Sequence, residues 1–329
     1  MGGFLQMMQR RKLIALTAAG LAAPAVLRAQ GTWPDRPIRL IVPWAPGGST
    51  DTVARLFQPR LAAVLGQNVI IENRGGASGS IGASEMARAP ADGSTWMLAY
   101  DNEAPNQTLL RLNYKTLEDF VPVSLVATGP LVITAHKDTP FQNFREVMDA
   151  AKKDPDRLNY ATSGVGGLAH IATTLLQQQN GFKLTHVPYR GGGPAVTAAI
   201  AGEIPLFMTN VVIVSQHIRA GTLRPLGVTT RGETRHVPGS QSFAQQGFGN
   251  FEAPTWWAFF GRTGTPRPIV DRMHAALRQV LNEPEVKARI EEQGCDIVAS
   301  SPDECRTFVA AEIERWGAVI RENNIRMDS

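Results

Sequence analysis

Short strands alternate with amphipathic helices along most of this chain, and that order restricts the fold more than any other feature. Residues 38–42 (Ile-Arg-Leu-Ile-Val) read as a β-branched strand. Residues 52–65 place Val53, Leu56, Phe57, Leu61, Val64 and Leu65 at helical spacing, and Gly66 ends the run. Strands are expected at 69–71 and 95–99, with a helix at 81–89 between them. Further strands are expected at 131–135, 158–161, 184–187, 205–208 and 225–228. Helices at 144–152, 168–179, 195–201 and 211–220 separate them. The C-terminal part, 268–281, 284–293 and 302–322, is mostly amphipathic helix. Such alternation argues for parallel sheets covered by helices. About 300 residues follow the N-terminal leader described below, more than one domain usually holds, and no polar linker divides them. Two domains joined by short crossings are therefore expected.

Four strand-to-helix joints share one chemistry. They are Pro46-Gly47-Gly48-Ser49-Thr50-Asp51, Gly75-Gly76-Ala77-Ser78-Gly79-Ser80, Thr162-Ser163-Gly164-Val165-Gly166-Gly167 and Tyr189-Arg190-Gly191-Gly192-Gly193-Pro194. In three of them Ser or Thr is expected to cap the next helix, and in the fourth Pro194 suits the first helical position. A helix N-terminus presents unsatisfied N–H groups and attracts anions. In open α/β sheets these turns sit at the carboxyl ends of strands, where ligands bind. One Gly-Ser turn is usually no more than a capped tight turn. Four in corresponding places point to an anion or carboxylate.

The N-terminus reads as an address. Arg10, Arg11 and Lys12 precede a 15-residue apolar run, 13–27, and Leu27-Arg28-Ala29 offers a cleavage site after Ala29. The run is short for a span of about 20 residues. Arg10-Arg11 also fits a twin-arginine signal, so the export route stays open. Removing 1–29 leaves 29 bases against 29 acids, so nothing in the net charge calls for a nucleic-acid partner. An oxidising compartment permits a Cys295–Cys305 disulfide, and two buried free thiols are the alternative. No His/Cys cluster has zinc spacing, and no metal or cofactor is expected.

Familiar catalytic patterns are missing. The chain has no G-x-x-x-x-G-K-[ST], no G-x-G-x-x-G and no G-x-S-x-G. His170 is the best lone candidate for a base, but a structural histidine in the first turns of a helix is the expectation.

Trp33-Pro34-Asp35-Arg36-Pro37-Ile38, Val42-Pro43-Trp44-Ala45-Pro46-Gly47-Gly48-Ser49-Thr50-Asp51, Glu72-Asn73-Arg74-Gly75-Gly76-Ala77-Ser78-Gly79 and Ala91-Asp92-Gly93-Ser94-Thr95 follow one another in order. Asp119-Phe120-Val121-Pro122-Val123, Val187-Pro188-Tyr189-Arg190-Gly191, Ala220-Gly221-Thr222-Leu223-Arg224-Pro225-Leu226 and Gly264-Thr265-Pro266 continue the series. Together they resemble the substrate-binding receptors of tripartite tricarboxylate transporters, the Bug family. The resemblance implies a two-domain α/β periplasmic-binding fold of type II, with mixed, mostly parallel sheets and the ligand in a cleft between domains. One domain would comprise 30–130 plus 229–329, the other 131–228.

The same resemblance implies a ligand site. One carboxylate would be gripped by backbone N–H groups of Trp44, Ala45, Gly47, Gly48, Ser49, Thr50 and Asp51, and of Ala77, Ser78 and Gly79. Asn102 joins this side. Thr162, Ser163, Gly164, Tyr189, Gly191, Thr209 and Asn210 would complete the site from the other. Asp51 is expected to act as a cap or water holder, since it would repel an anion. Family members often carry Asp where this chain has Thr209, which changes the water network. Asp101 and Glu103 are expected at the surface, with contact to a distal group of the ligand as the other possibility.

These readings describe an exported, monomeric, non-catalytic binding protein. It would deliver a small organic carboxylate to membrane transporter subunits. Two other classes stay open: a sensor presenting ligand to a signalling receptor, and a hydrolase or lyase using the same cleft.

Overall fold

The computed structural model describes residues 33–326 except residue 156; the expected export signal and its cleavage site lie outside the described residues. The fold is carried by the unit from Pro34 onward. Strand β1 (Ile38–Val42) lies parallel between β2 (Val69–Asn73) and β3 (Thr95–Tyr100). Helix α1 (Ser49–Leu65) links β1 to β2, and α2 (Ser80–Ala87) follows β2. On α1, Val53, Phe57, Leu61 and Leu65 recur every fourth residue and are buried, so one face carries the packing. Gly66 ends the helix at φ 71° and returns its N–H to Ala62 O. Two short helices, α3 (Glu103–Leu109) and α4 (Thr116–Asp119), come after β3.

Strand β4 (Phe120–His136) is 17 residues long and changes partners midway. Up to Pro130 it pairs antiparallel with β9 (Pro254–Arg262). From Leu131 it pairs with β7 (Leu206–Asn210), and from Val132 also with β8 (Leu223–Val228). Beyond β7 lie β5 (Asn159–Thr162) and β6 (Thr185–Pro188), both parallel. The order across the sheet is β2-β1-β3-β9-β4-β7-β5-β6. Helices α5 (Phe144–Lys153), α6 (Leu168–Asn180), α7 (Gly192–Ile200) and α8 (Val211–Arg219) alternate with these strands. The chain ends with α9 (Arg267–Leu281), α10 (Pro284–Glu292), β10 (Asp296–Ile297) and α11 (Pro302–Glu322). Ser301 and Glu304 form a reciprocal capping box at the start of α11, which packs on α3 and β4.

The sheet is mixed, and its antiparallel part is larger than strand–helix alternation alone implies. Every antiparallel ladder involves β4 or β9. The parallel ladders β1–β2, β1–β3, β5–β6 and β5–β7 are those joined through helices. An apolar cluster of Val132, Ala161, Ala195, Phe207, Val214 and Val228 also takes in Val237, beyond β8. Cys295 and Cys305 are buried free thiols, so the disulfide alternative is excluded.

Candidate ligand-binding site

The Gly-rich turns lie at the carboxyl ends of β1, β2, β5 and β6, and each is braced differently. After β1, Trp44 donates its N–H to Val42 O at 2.8 Å and receives Asn73 Nδ2 on its own carbonyl at 3.0 Å. Asp51 reaches back from α1. Its Oδ2 accepts the Gly47 N–H at 2.9 Å and Arg55 Nε at 2.9 Å, and its Oδ1 accepts Asn73 Nδ2 at 3.1 Å. Burial pushes the Asp51 carboxyl up, but the bonds from Arg55, Gly47 and Asn73 together outweigh it and hold the group below its ordinary value. The expected Ser or Thr cap is corrected here. Extended Gly48 occupies the cap position, Ser49 is already helical, and no side chain caps the helix. Asp51 instead ties the loop down from inside the first turn. The Ala45 N–H has no hydrogen-bond partner among the described residues.

The turn after β2 is strained. Ala77 and Ser78 both have positive φ, 44° and 52°, which costs about 1–2 kcal/mol per non-glycine residue. The surroundings hold it there. The Ser78 carbonyl accepts the side-chain amides of Asn102 and Asn106, the latter at 2.9 Å. Gly79, at φ 86°, leaves room for this grip, since a Cβ would lie 2.8 Å from Asn102 Nδ2. Ser78 Oγ donates to Val165 O on the opposite turn.

The turns after β5 and β6 hold each other. Tyr189 N–H bonds to Thr162 O and Gly191 N–H to Ser163 O, each at 3.0 Å. His170 Nδ1 accepts the Gly166 N–H at 3.2 Å. Its ring stacks on His186 at 4.1 Å, whose Nε2 lies 2.7 Å from Thr162 Oγ1. Burial first, and the neighbouring His170 second, push His186 down to about 3, so it is neutral under ordinary conditions. His170 is thus a brace for the turn. Helix α7 begins at Gly192, which puts Pro194 third in the helix and corrects its expected first position. Gly191, at φ 112°, abuts the first wall; a Cβ there would lie 3.6 Å from Ala45 Cβ.

Between the walls is a cavity of about 810 Å³. Of the expected residues, Trp44, Ala45, Ala77, Ser78, Ser163, Gly164, Tyr189 and Gly191 line it. Gly48, Ser49 and Asn210 line a void of about 20 Å³ beside it, and Thr162, Thr209 and Asn210 line another of about 20 Å³. Gly47, Thr50, Asp51, Gly79 and Asn102 line none of these spaces. Of these, Asp51 ties down the first turn, while Gly79 and Asn102 secure the second. Asn73, Val165 and Arg190 also line the cavity; Val165 and Arg190 lie in turns expected to contribute, though none of the three was named as a contact. Arg190 is its only charged lining residue; it is exposed and bonds to no described residue. Its position inside the quoted Tyr-Arg-Gly turn was the available signal.

Asp101 and Glu103 are each 1% exposed, which overturns their expected place at the surface. Thr255 Oγ1 donates to Asp101 Oδ2. Tyr114 Oη and Thr116 Oγ1 donate to Glu103 at 3.3 and 3.0 Å. Burial raises Asp101 to about 8 and Glu103 to about 7. The end of β3 feeds them under the sheet because these hydroxyls receive them. Neither lines the cavity.

Residues 53–325 match the model of the tripartite tricarboxylate transporter family receptor. The chain belongs to that family. Among relatives of this receptor, Protein BugT of Bordetella pertussis is 35% identical over 318 residues, covering 95% of this chain and 96% of BugT. The solved periplasmic binding protein BugD is 28% identical with TM-score 0.85, covering 89% of this receptor and 99% of BugD. The R. palustris protein Rpa4515, solved with adipate, is 31% identical with TM-score 0.85, over 89% and 99% of the two chains. The family consists of solute-binding receptors, and these likenesses confirm the periplasmic-binding type of α/β fold. No described helix of the receptor is long and apolar enough to cross a membrane.

Proposed function

We propose that this receptor captures a small organic carboxylate in the 810 Å³ cavity and delivers it to the membrane subunits of a tripartite transporter. One observation carries the choice of ligand. The cavity wall holds a single charge, the unpaired cation of Arg190, and no acid. An anion entering there meets a guanidinium, the free Ala45 N–H and Gly191, the cap residue of α7, while the start of α1 faces the void beside it. Trp44, Pro46, Val165 and Pro188 supply apolar surface for a carbon skeleton. The adipate held by Rpa4515 supports the same class of ligand.

In this reading 30–130 plus 229–329 and 131–228 form two lobes. The chain crosses at Pro130–Leu131, where β4 changes partners, and again after β8. Closure about these crossings encloses the ligand. The protein acts as a monomer, without catalysis or cofactor, after export and cleavage near Ala29. Calorimetry with carboxylates and their amides or esters tests the ligand class. Binding of acids and loss of binding by neutral analogues is expected.

A further inference from the structure

Asn210 belongs to the expected ligand contacts, but its amide is already occupied. Asn210 ends β7 and is 4% exposed. Its Oδ1 accepts the Ile213 N–H at 3.3 Å and caps α8. Its Nδ2 donates to Ser49 Oγ at 3.0 Å and to Tyr100 Oη at 2.8 Å. Both amide hydrogens are therefore spent. Ser49 opens α1 and Tyr100 ends β3, so both bonds run from the 131–228 segment to the segment before it. Tyr100 also packs edge-on against Trp44 at 5.8 Å, and Trp44 lines the cavity. Its hydroxyl stays protonated, because burial raises it well above its ordinary value.

We propose that Asn210 is a positioning residue: a latch that holds the two walls of the cavity together through Ser49 and Tyr100, and not a contact to the ligand. The proposal rests on the two-lobe reading above. When the walls part, both bonds break and the amide returns to water. When they meet, the bonds re-form against the back of Trp44, coupling closure to the shape of the ligand cavity. The Ser78–Val165 bond closes the same gap from another side but engages a backbone carbonyl on a turn. Asn210 is fixed at the end of a strand and at the start of a helix, so its reach is set by two rigid elements.

The test is the double variant Ser49→Ala/Tyr100→Phe, which removes both acceptors and leaves the α8 cap intact. Ser49→Ala alone serves as the milder variant should the double one fold poorly by circular dichroism. Adipate, succinate, malate and glutamate are titrated by calorimetry, and the ligand-free proteins are compared by small-angle X-ray scattering. The latch predicts affinity about tenfold weaker for every acid that binds, as expected for two neutral hydrogen bonds. It also predicts an unchanged order of preference among acids and a larger radius of gyration without ligand. Wild-type affinity in a folded double variant, or a changed order of preference, overturns it. A lowered melting temperature with unchanged affinity would show a merely structural role. If no acid binds the wild type, the carboxylate reading fails, and scattering alone decides the latch: equal radii reject it.

Discussion

The two walls of the cavity are built by different means. The first, after β1 and β2, is locked by side chains: Asp51 and Asn73 tie down one turn, and Asn102 and Asn106 grip the other. The second, after β5 and β6, is held mainly by backbone bonds between its own turns and by the His170–His186 stack. The Asp51 carboxylate and the Asn73, Asn102 and Asn106 amide N–H groups bond within the first wall, and the Ala45 N–H is left free. The second wall contributes the exposed side chain of Arg190, which bonds to no described residue. A rigid wall with a free backbone donor suits a group common to many ligands, because little order is lost on binding. Under the proposed function, an unpaired cation opposite it suits discrimination between acids and neutral analogues. On the same reading, the difference would give general grip to one wall and selectivity to the other.

The first way to break this comparison is Gly48→Val. A Cβ at Gly48 would sit 3.3 Å from Ala45 O, so the larger side chain must displace the loop that carries the free donor. We expect a folded protein whose affinity falls by about 10- to 100-fold, the loss of a hydrogen bond to a charged group. Calorimetry paired with melting separates the two effects. Arg190→Gln should cost about tenfold and flatten the salt dependence of binding, since an exposed cation is screened. A variant that binds neutral analogues as well as acids would sharpen the assignment of selectivity to this wall.

Asp51→Asn should act mainly on stability, by about 1–3 kcal/mol, because it weakens three inward bonds of a buried group. The pH dependence has a definite sign. The folded Asp51 carboxyl lies below its unfolded value, so its contribution is present above the unfolded value and is lost as pH falls through the folded one. A second pair of acids has the opposite sign. Asp101 and Glu103 titrate at about 8 and about 7 when folded, and near 4 when unfolded. Between those limits the folded state binds more protons, so stability falls as pH rises from about 4 to about 8. Asp101→Asn with Glu103→Gln should flatten that fall in denaturant unfolding measured across pH.

Much of this architecture was legible before the structure. The four Gly-rich turns are at strand ends, because glycine, serine and proline mark sharp joints by local physics. Other parts depended on distant residues. The first half of β4 carries Pro122, Gly129 and Pro130, which argue against a strand when read alone. It persists because β9 pairs along it with two shifts of register. Strand β9 is apolar and buried on both faces, and shows no alternation to signal a strand. Loop acids are usually exposed, and hydrogen bonds from distant Thr255, Tyr114 and Thr116 help make the burial of Asp101 and Glu103 possible. Asn210 was expected as a ligand contact, and it lines two small voids beside the cavity. Its bonds to Ser49 and Tyr100 join residues more than a hundred positions apart, beyond any local pattern.

The central claim is that the cavity recognises a carboxylate, and the direct measurement is calorimetry on the chain from residue 30 onward. Adipate and related acids would be titrated beside their methyl esters. The account predicts saturable binding of at least one acid and no measurable heat from its ester. Equal affinity for an acid and its ester would contradict it.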